Sequence, residues 1–137
     1  ILQVPLPPDP VRPILLEARD AMNSGDDEAA RTAFERVIDG FDQTNGPALY
    51  GLGLLASREE DADRALEYFK RAVESSSVEP SMRVWAHVYL GRIYDIQCDR
   101  EAALAEYRSA LGSAADTEAA LAAATAGLEG PFGGGCH

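Results

Sequence analysis

Two histidines (His87, His137), two cysteines (Cys98, Cys136) and a carboxylate run in "REEDAD" (Glu59, Glu60, Asp61, Asp63) have the chemistry of a nucleophile, an acid/base pair or a metal site. No Ser-His-Asp or Cys-His arrangement has usable spacing among them. Cys98, Cys136 and His137 could hold a metal with a fourth ligand, but neither CxxC nor HExxH spacing is present, so no metal is expected. His87 takes an apolar helix position, which suits a histidine satisfied within or beside the core. The carboxylates stand at a polar turn before a helix, where capping and compensation of the macrodipole explain them better than proton transfer does. The glycines of the closing "GPFGGGCH" lack the strand-to-helix context of a phosphate loop. Neither catalysis nor a cofactor is expected.

The elements around these residues are bounded by composition. The 137 residues suffice for one domain with a real core, and 46% hydrophobic with 26% charged residues is ordinary for a globular chain. Twenty-three acidic against 12 basic residues give a net charge of -11, which disfavours nucleic acid and anionic membrane surfaces as partners. No apolar run is long enough to span a bilayer and no signal-peptide layout opens the chain. Cytoplasm and periplasm both remain compatible. Two cysteines do not make a disulfide framework. The opening "ILQVPLPPDP", residues 1–10, reads as a stiff proline-rich linker of an excised domain, with a cleaved precursor as the alternative. Residues 130–137 read as a flexible glycine-rich tail.

Self-comparison exposes three related units. "YLGRIYDIQCDREAALAEYRSAL" matches "GLGLLASREEDADRALEYFKRAV" and, more distantly, "LEARDAMNSGDDEAARTAFERVI". A small residue (Ala18, Gly53, Gly91) is followed 12 residues later by alanine (Ala30, Ala65, Ala103). An aromatic (Phe34, Phe69, Tyr107) stands four residues beyond the alanine, and a modest apolar residue (Val37, Ala72, Ala110) three further. Successive alanines are 35 and 38 residues apart. Each unit reads as two helices joined by a polar turn, with Gly25 left-handed and Asp26 or Asp27 capping in the first. An interior helical glycine loses about 1 kcal/mol relative to alanine, and close approach of the paired helices is the expected return. Asp27 with Arg31 and Glu67 with Arg71 have the spacing of helix-surface ion pairs.

The pattern carried by Leu90, Gly91, Tyr94, Ala103, Tyr107 and Ala110, repeated by Leu52, Gly53, Ala65, Phe69 and Ala72, resembles the tetratricopeptide repeat. Ala30, Phe34 and Val37 form a degenerate copy. His87 and Leu49 replace the family's early tryptophan, and its closing proline is missing or displaced to Pro80. The resemblance implies an all-α, right-handed superhelix of about three helical hairpins, over about residues 11–44, 46–79 and 84–115. A capping helix follows over about 116–129, starting at Asp116 or Thr117 and covering the last exposed face.

Such an array implies a protein-interaction module whose first helices line a concave groove for a peptide or partner helix. Counting from Ala18, Gly53 and Gly91, the lining candidates are Arg12, Leu15, Arg19, Met22 and Asn23, then Tyr50, Leu54 and Arg58, then Trp85, Val88, Tyr89, Arg92 and Ile96. Four of the 12 basic residues and the sole tryptophan fall in this set, which suits an anionic segment held by arginine forks and aromatic anchors. The alternative readings are that these arginines merely solvate a face and that Trp85 is core. The lysine and asparagine clamp with which some family members grip chaperone C-termini is missing, since the matching positions hold Leu15, Arg19, Gly51, Trp85 and Tyr89. A second class of function is an assembly element that pairs with its own copy, as a homodimer, or with another domain, for which "ALAAATAGL" offers a smooth surface.

Overall fold

The computed structural model describes residues 5, 8–113, 117–134 and 136. Among them are seven α-helices: α1 (Val11–Asn23), α2 (Asp27–Gly40), α3 (Gly46–Arg58), α4 (Ala62–Glu74), α5 (Pro80–Ile96), α6 (Arg100–Leu111) and α7 (Glu118–Glu129). A short 3-10 turn, Phe132–Gly134, follows. The helices pack as antiparallel pairs, α1 with α2, α3 with α4 and α5 with α6, and each pair packs on the next, with α7 against both α5 and α6. No strand occurs among the described residues, and no described helix is long and apolar enough to cross a membrane.

Each hairpin turn is built alike. The first helix ends on a left-handed residue, Gly25 (φ 84°), Glu60 (φ 60°) or Cys98 (φ 65°). The next residue is an aspartate whose carboxylate accepts a backbone N–H three positions on: Asp26 from Ala29 at 3.1 Å, Asp61 from Arg64 at 3.2 Å and Asp99 from Ala102 at 3.1 Å. This satisfies N–H groups that the helix itself leaves unpaired, and it makes Asp61 of "REEDAD" a structural cap. The cap of α7 is Thr117, which makes no side-chain cap bond, while Asp116 lies outside the described residues. The longer third unit is taken up in α5, which runs 17 residues against 13 for α3.

The three aromatics of the repeat explain the glycines. Phe34, Phe69 and Tyr107 are buried, the last two completely. A Cβ on Gly53 would stand 2.7 Å from the Phe69 ring, and one on Gly91 or Gly127 would stand 2.5 Å from Tyr107. A Cβ on Gly51 would likewise meet Phe34. Tyr107 is therefore gripped from within its own hairpin by Gly91 and from the capping helix by Gly127.

Gly91→Ala tests this directly. Alanine gains about 1 kcal/mol of helix propensity but overpacks the ring at a loss of about 1–3 kcal/mol. A net decrease in stability is expected in urea unfolding, whereas Gly40→Ala, with nothing within 4 Å of the added methyl, should raise it. Equal effects at the two sites would mean that the ring contact does not govern the choice of glycine.

Two surface expectations give way. Asp27 pairs with Arg58 at 2.7 Å rather than with Arg31, which instead meets Glu59, and Arg71 donates to the Gln43 carbonyl at 3.0 Å. Long arginine side chains reach across the groove between successive hairpins, where two elements are fastened by one ion pair. A pair within one helix fastens nothing further.

The closing segment, read from the sequence as a free tail, lies against α5 in the structure. The Phe132 N–H donates to Asp95 at 2.9 Å, and Cys136 is joined to Cys98 in a disulfide that closes a sequence separation of 38. Pairing needs proximity in space, which the spacing of two cysteines does not encode.

Candidate functional site

A cleft of about 500 Å³ opens between α1 and α3 and extends to the start of α5. Arg12, Leu15, Leu16, Arg19 and Met22 form one wall, Pro47, Tyr50, Gly51 and Leu54 the other, with Phe34, Glu79 and Met82 completing the lining. Helical geometry puts Arg12, Leu15, Arg19 and Met22 on one stripe, because residues three and four apart share a face. The stripe is available because Ile14 and Ala18, on the adjoining face, are the residues that bury against the core. Both guanidinium-bearing residues of this wall are exposed.

Tyr50 connects the cleft to an aromatic row. Its ring meets Phe69 edge-on at 5.9 Å and lies 6.5 Å from Tyr89, which in turn stacks on Phe69 at 5.2 Å and on Trp85 at 5.7 Å. Burial, and then the neighbouring Tyr89, push the Tyr50 phenol above its ordinary range, so it stays a neutral hydrogen-bonding group. Trp85 is half-buried beside the third-repeat core, so it serves both as packing and as accessible surface.

The remaining sequence candidates are distributed differently. Arg58 is committed to Asp27, and Asn23 is exposed at the end of α1 but does not line the cleft. Val88 is fully buried and belongs to the core, not to the groove. Ile96 is 58% exposed and lines a separate shallow recess with Ser57, Glu60, Ala62, Ala65 and Ile93. Arg92 lies between two rings, 5.8 Å from the centre of Tyr89 and 4.9 Å from that of Phe132.

Sequence reasoning missed Asp95. It is only 2% exposed, accepts from Arg100 at 3.0 Å and from the Tyr107 hydroxyl at 2.8 Å, and receives the Phe132 N–H. Arg100 in turn donates to the Gly127 carbonyl at 2.6 Å. One carboxylate thus ties α5, α6, α7 and the closing segment together. Burial raises the Tyr107 phenol well above its usual range, and the bond donated to Asp95 acts in the same direction. The signal was the lone carboxylate in the run "VWAHVYLGRIYDI", five residues ahead of an arginine.

The other chemistry-bearing groups are in structural use. His87 Nδ1 is 2.8 Å from a Glu106 carboxylate oxygen, half-buried between α5 and α6. Cys98 and Cys136 spend their sulfurs on each other, and His137 lies outside the described residues. No cluster of three or more histidine, cysteine or carboxylate groups suited to a metal occurs among the described residues.

Among curated proteins none matches the chain. Residues 46–78, which span α3, α4 and the turn after them, match the family model described as Tetratricopeptide repeat. That match falls on the central one of three hairpins built on the same alanine, aromatic and left-handed turn positions, so the second hairpin is similar to a tetratricopeptide repeat and the flanking pairs share its architecture.

Proposed function

We propose that this protein is an interaction module that holds an extended or helical segment of a partner in the cleft between α1 and α3, and that the segment carries acidic residues beside an aliphatic or aromatic anchor. The carrying observation is the lining itself: Arg12 and Arg19 line a mainly apolar trough with Leu15, Met22, Tyr50 and Leu54, against a single acid, Glu79, at the start of α5. Arginine takes a carboxylate in two-pronged fashion, and a trough of this size accepts one or two apolar side chains. The chain as a whole carries a net charge of -11, which repels a polyanion such as nucleic acid, so a carboxylate of the segment docks through short-range pairing at the two arginines. The family is typically a scaffold without catalysis of its own, and nothing in the cleft calls for a reacting group.

Selection of peptides from a random displayed library on the intact protein tests the reading. Selected sequences are expected to pair Asp or Glu with Leu, Ile or Phe, and to lose about tenfold or more in affinity for Arg12→Ala/Arg19→Ala, since hydrogen bonds to charged groups contribute about 1.5–3 kcal/mol each. Peptides without acidic enrichment, or bound equally by the variant, would refute it. A chain that selects no peptide and is dimeric by light scattering would instead support the assembly role.

A further inference from the structure

We propose that the closing segment, Gly130–Gly134 with Cys136, is a disulfide-latched strap over the third-repeat end of the groove, and that reduction of Cys98–Cys136 uncovers Arg92 for a partner; this regulation rests on the groove reading above. The strap takes the place a ligand would take. The Arg92 guanidinium lies 4.9 Å from the centre of the Phe132 ring, and the Phe132 N–H is spent on Asp95 at 2.9 Å. Phe132 is an intramolecular stand-in for the aromatic anchor of a bound segment.

The latch is placed to hold such a strap and to be opened. Cys98 occupies the left-handed position that ends α5, and both it and Cys136 are exposed, so a thiolate can reach either sulfur. Gly133 (φ 67°) and Gly134 (φ 82°) turn the segment back toward Cys98. Besides the disulfide, Phe132 is held by the hydrogen bond of its N–H to Asp95 and by its contact with the Arg92 guanidinium, and the residue remains 42% exposed. Contacts this few hold the ring because the second tether keeps it at high effective concentration, and they lose that support when the tether is cut.

Opening is a two-electron reduction. A dithiol reductant attacks one sulfur, the Cys98 Sγ–Cys136 Sγ bond breaks, both cysteines leave as thiols, and the reductant departs as its own disulfide with its two protons passed to the protein.

The test compares the oxidised protein, the protein reduced with a dithiol and then capped with iodoacetamide, and Cys136→Ser. Phenylglyoxal, an arginine reagent, is the probe, and labelling at Arg92 is read against Arg19 by peptide mass mapping, with deuterium exchange at the Phe132 amide in parallel. Both unlatched forms should label Arg92 severalfold faster than the oxidised protein does, leave Arg19 unchanged and lose protection at Phe132. Phe132→Ala with the disulfide intact should also label fast, which separates cover from latch. Unchanged Arg92 labelling and an unchanged Phe132 amide after reduction would overturn the strap. Circular dichroism of each form guards against reading loss of fold as opening. If Arg92 is uncovered yet the selected peptides bind no more tightly, the strap stands and the groove reading fails at this end.

Discussion

Phe69→Ala is expected to destabilise the protein by about 4 kcal/mol, a third or more of what a domain of this size has to lose. Phe69 is completely buried and joins three elements: it faces Gly53 across its own hairpin, stacks on Tyr89 of the next, and meets Tyr50 of the groove wall edge-on. Truncation leaves a cavity that helical backbones fixed by neighbouring pairs cannot close. A shift of the thermal midpoint of roughly 10 °C should accompany it. Because Tyr50 rests on this ring, the variant should also weaken peptide capture, whereas Tyr68→Ala, on the same helix, should not. An effect under about 1 kcal/mol would mean that the aromatic is not the keystone of the hairpin interface.

Asp95→Ala has the second large effect. Removing the carboxylate leaves the buried Tyr107 hydroxyl without its acceptor and Arg100 without its counter-charge. Breaking a buried pair in this way costs about 3–5 kcal/mol, and the lower end applies because the Arg100 side chain is 32% exposed and retains some water. Asp95→Asn, which keeps an acceptor, should recover part of the loss. The damage should be local first, with hydrogen exchange rising in α7 and at Phe132 before it rises in α1 or α2, since the carboxylate holds the carboxyl-terminal elements. Uniform acceleration along the chain would show that Asp95 stabilises the array as a whole rather than its end.

The parts of the fold legible in the sequence are those written in short-range spacing. Ala30, Ala65 and Ala103 with their aromatics four residues later mark the buried stripe of each second helix, and all six are buried. The turn chemistry was equally readable at Gly25 and Asp26, because a left-handed residue and a cap are properties of a few adjacent positions. What escaped depends on neighbours far apart in the chain. Arg58 with Asp27 and Arg31 with Glu59 join different hairpins, at separations that no helix-surface rule anticipates. The Cys98–Cys136 bond and the Asp95 cluster depend on where the chain returns after α7. That Arg12, Leu15, Arg19 and Met22 share one face, which lines the cleft, was legible because one helix carries them. The diversion of Arg58 to Asp27 and the covering of Arg92 by Phe132 were not, because their partners come from other elements.

Amide chemical-shift mapping of the labelled, oxidised protein, titrated with one of the selected acidic peptides, tests the central claim most directly. Perturbations are expected to concentrate at Arg12, Arg19, Met22, Tyr50 and Leu54, with α2 and α4 silent on their outer faces. Perturbations centred on the outer faces of α2 and α4, or on α7 alone, would contradict it.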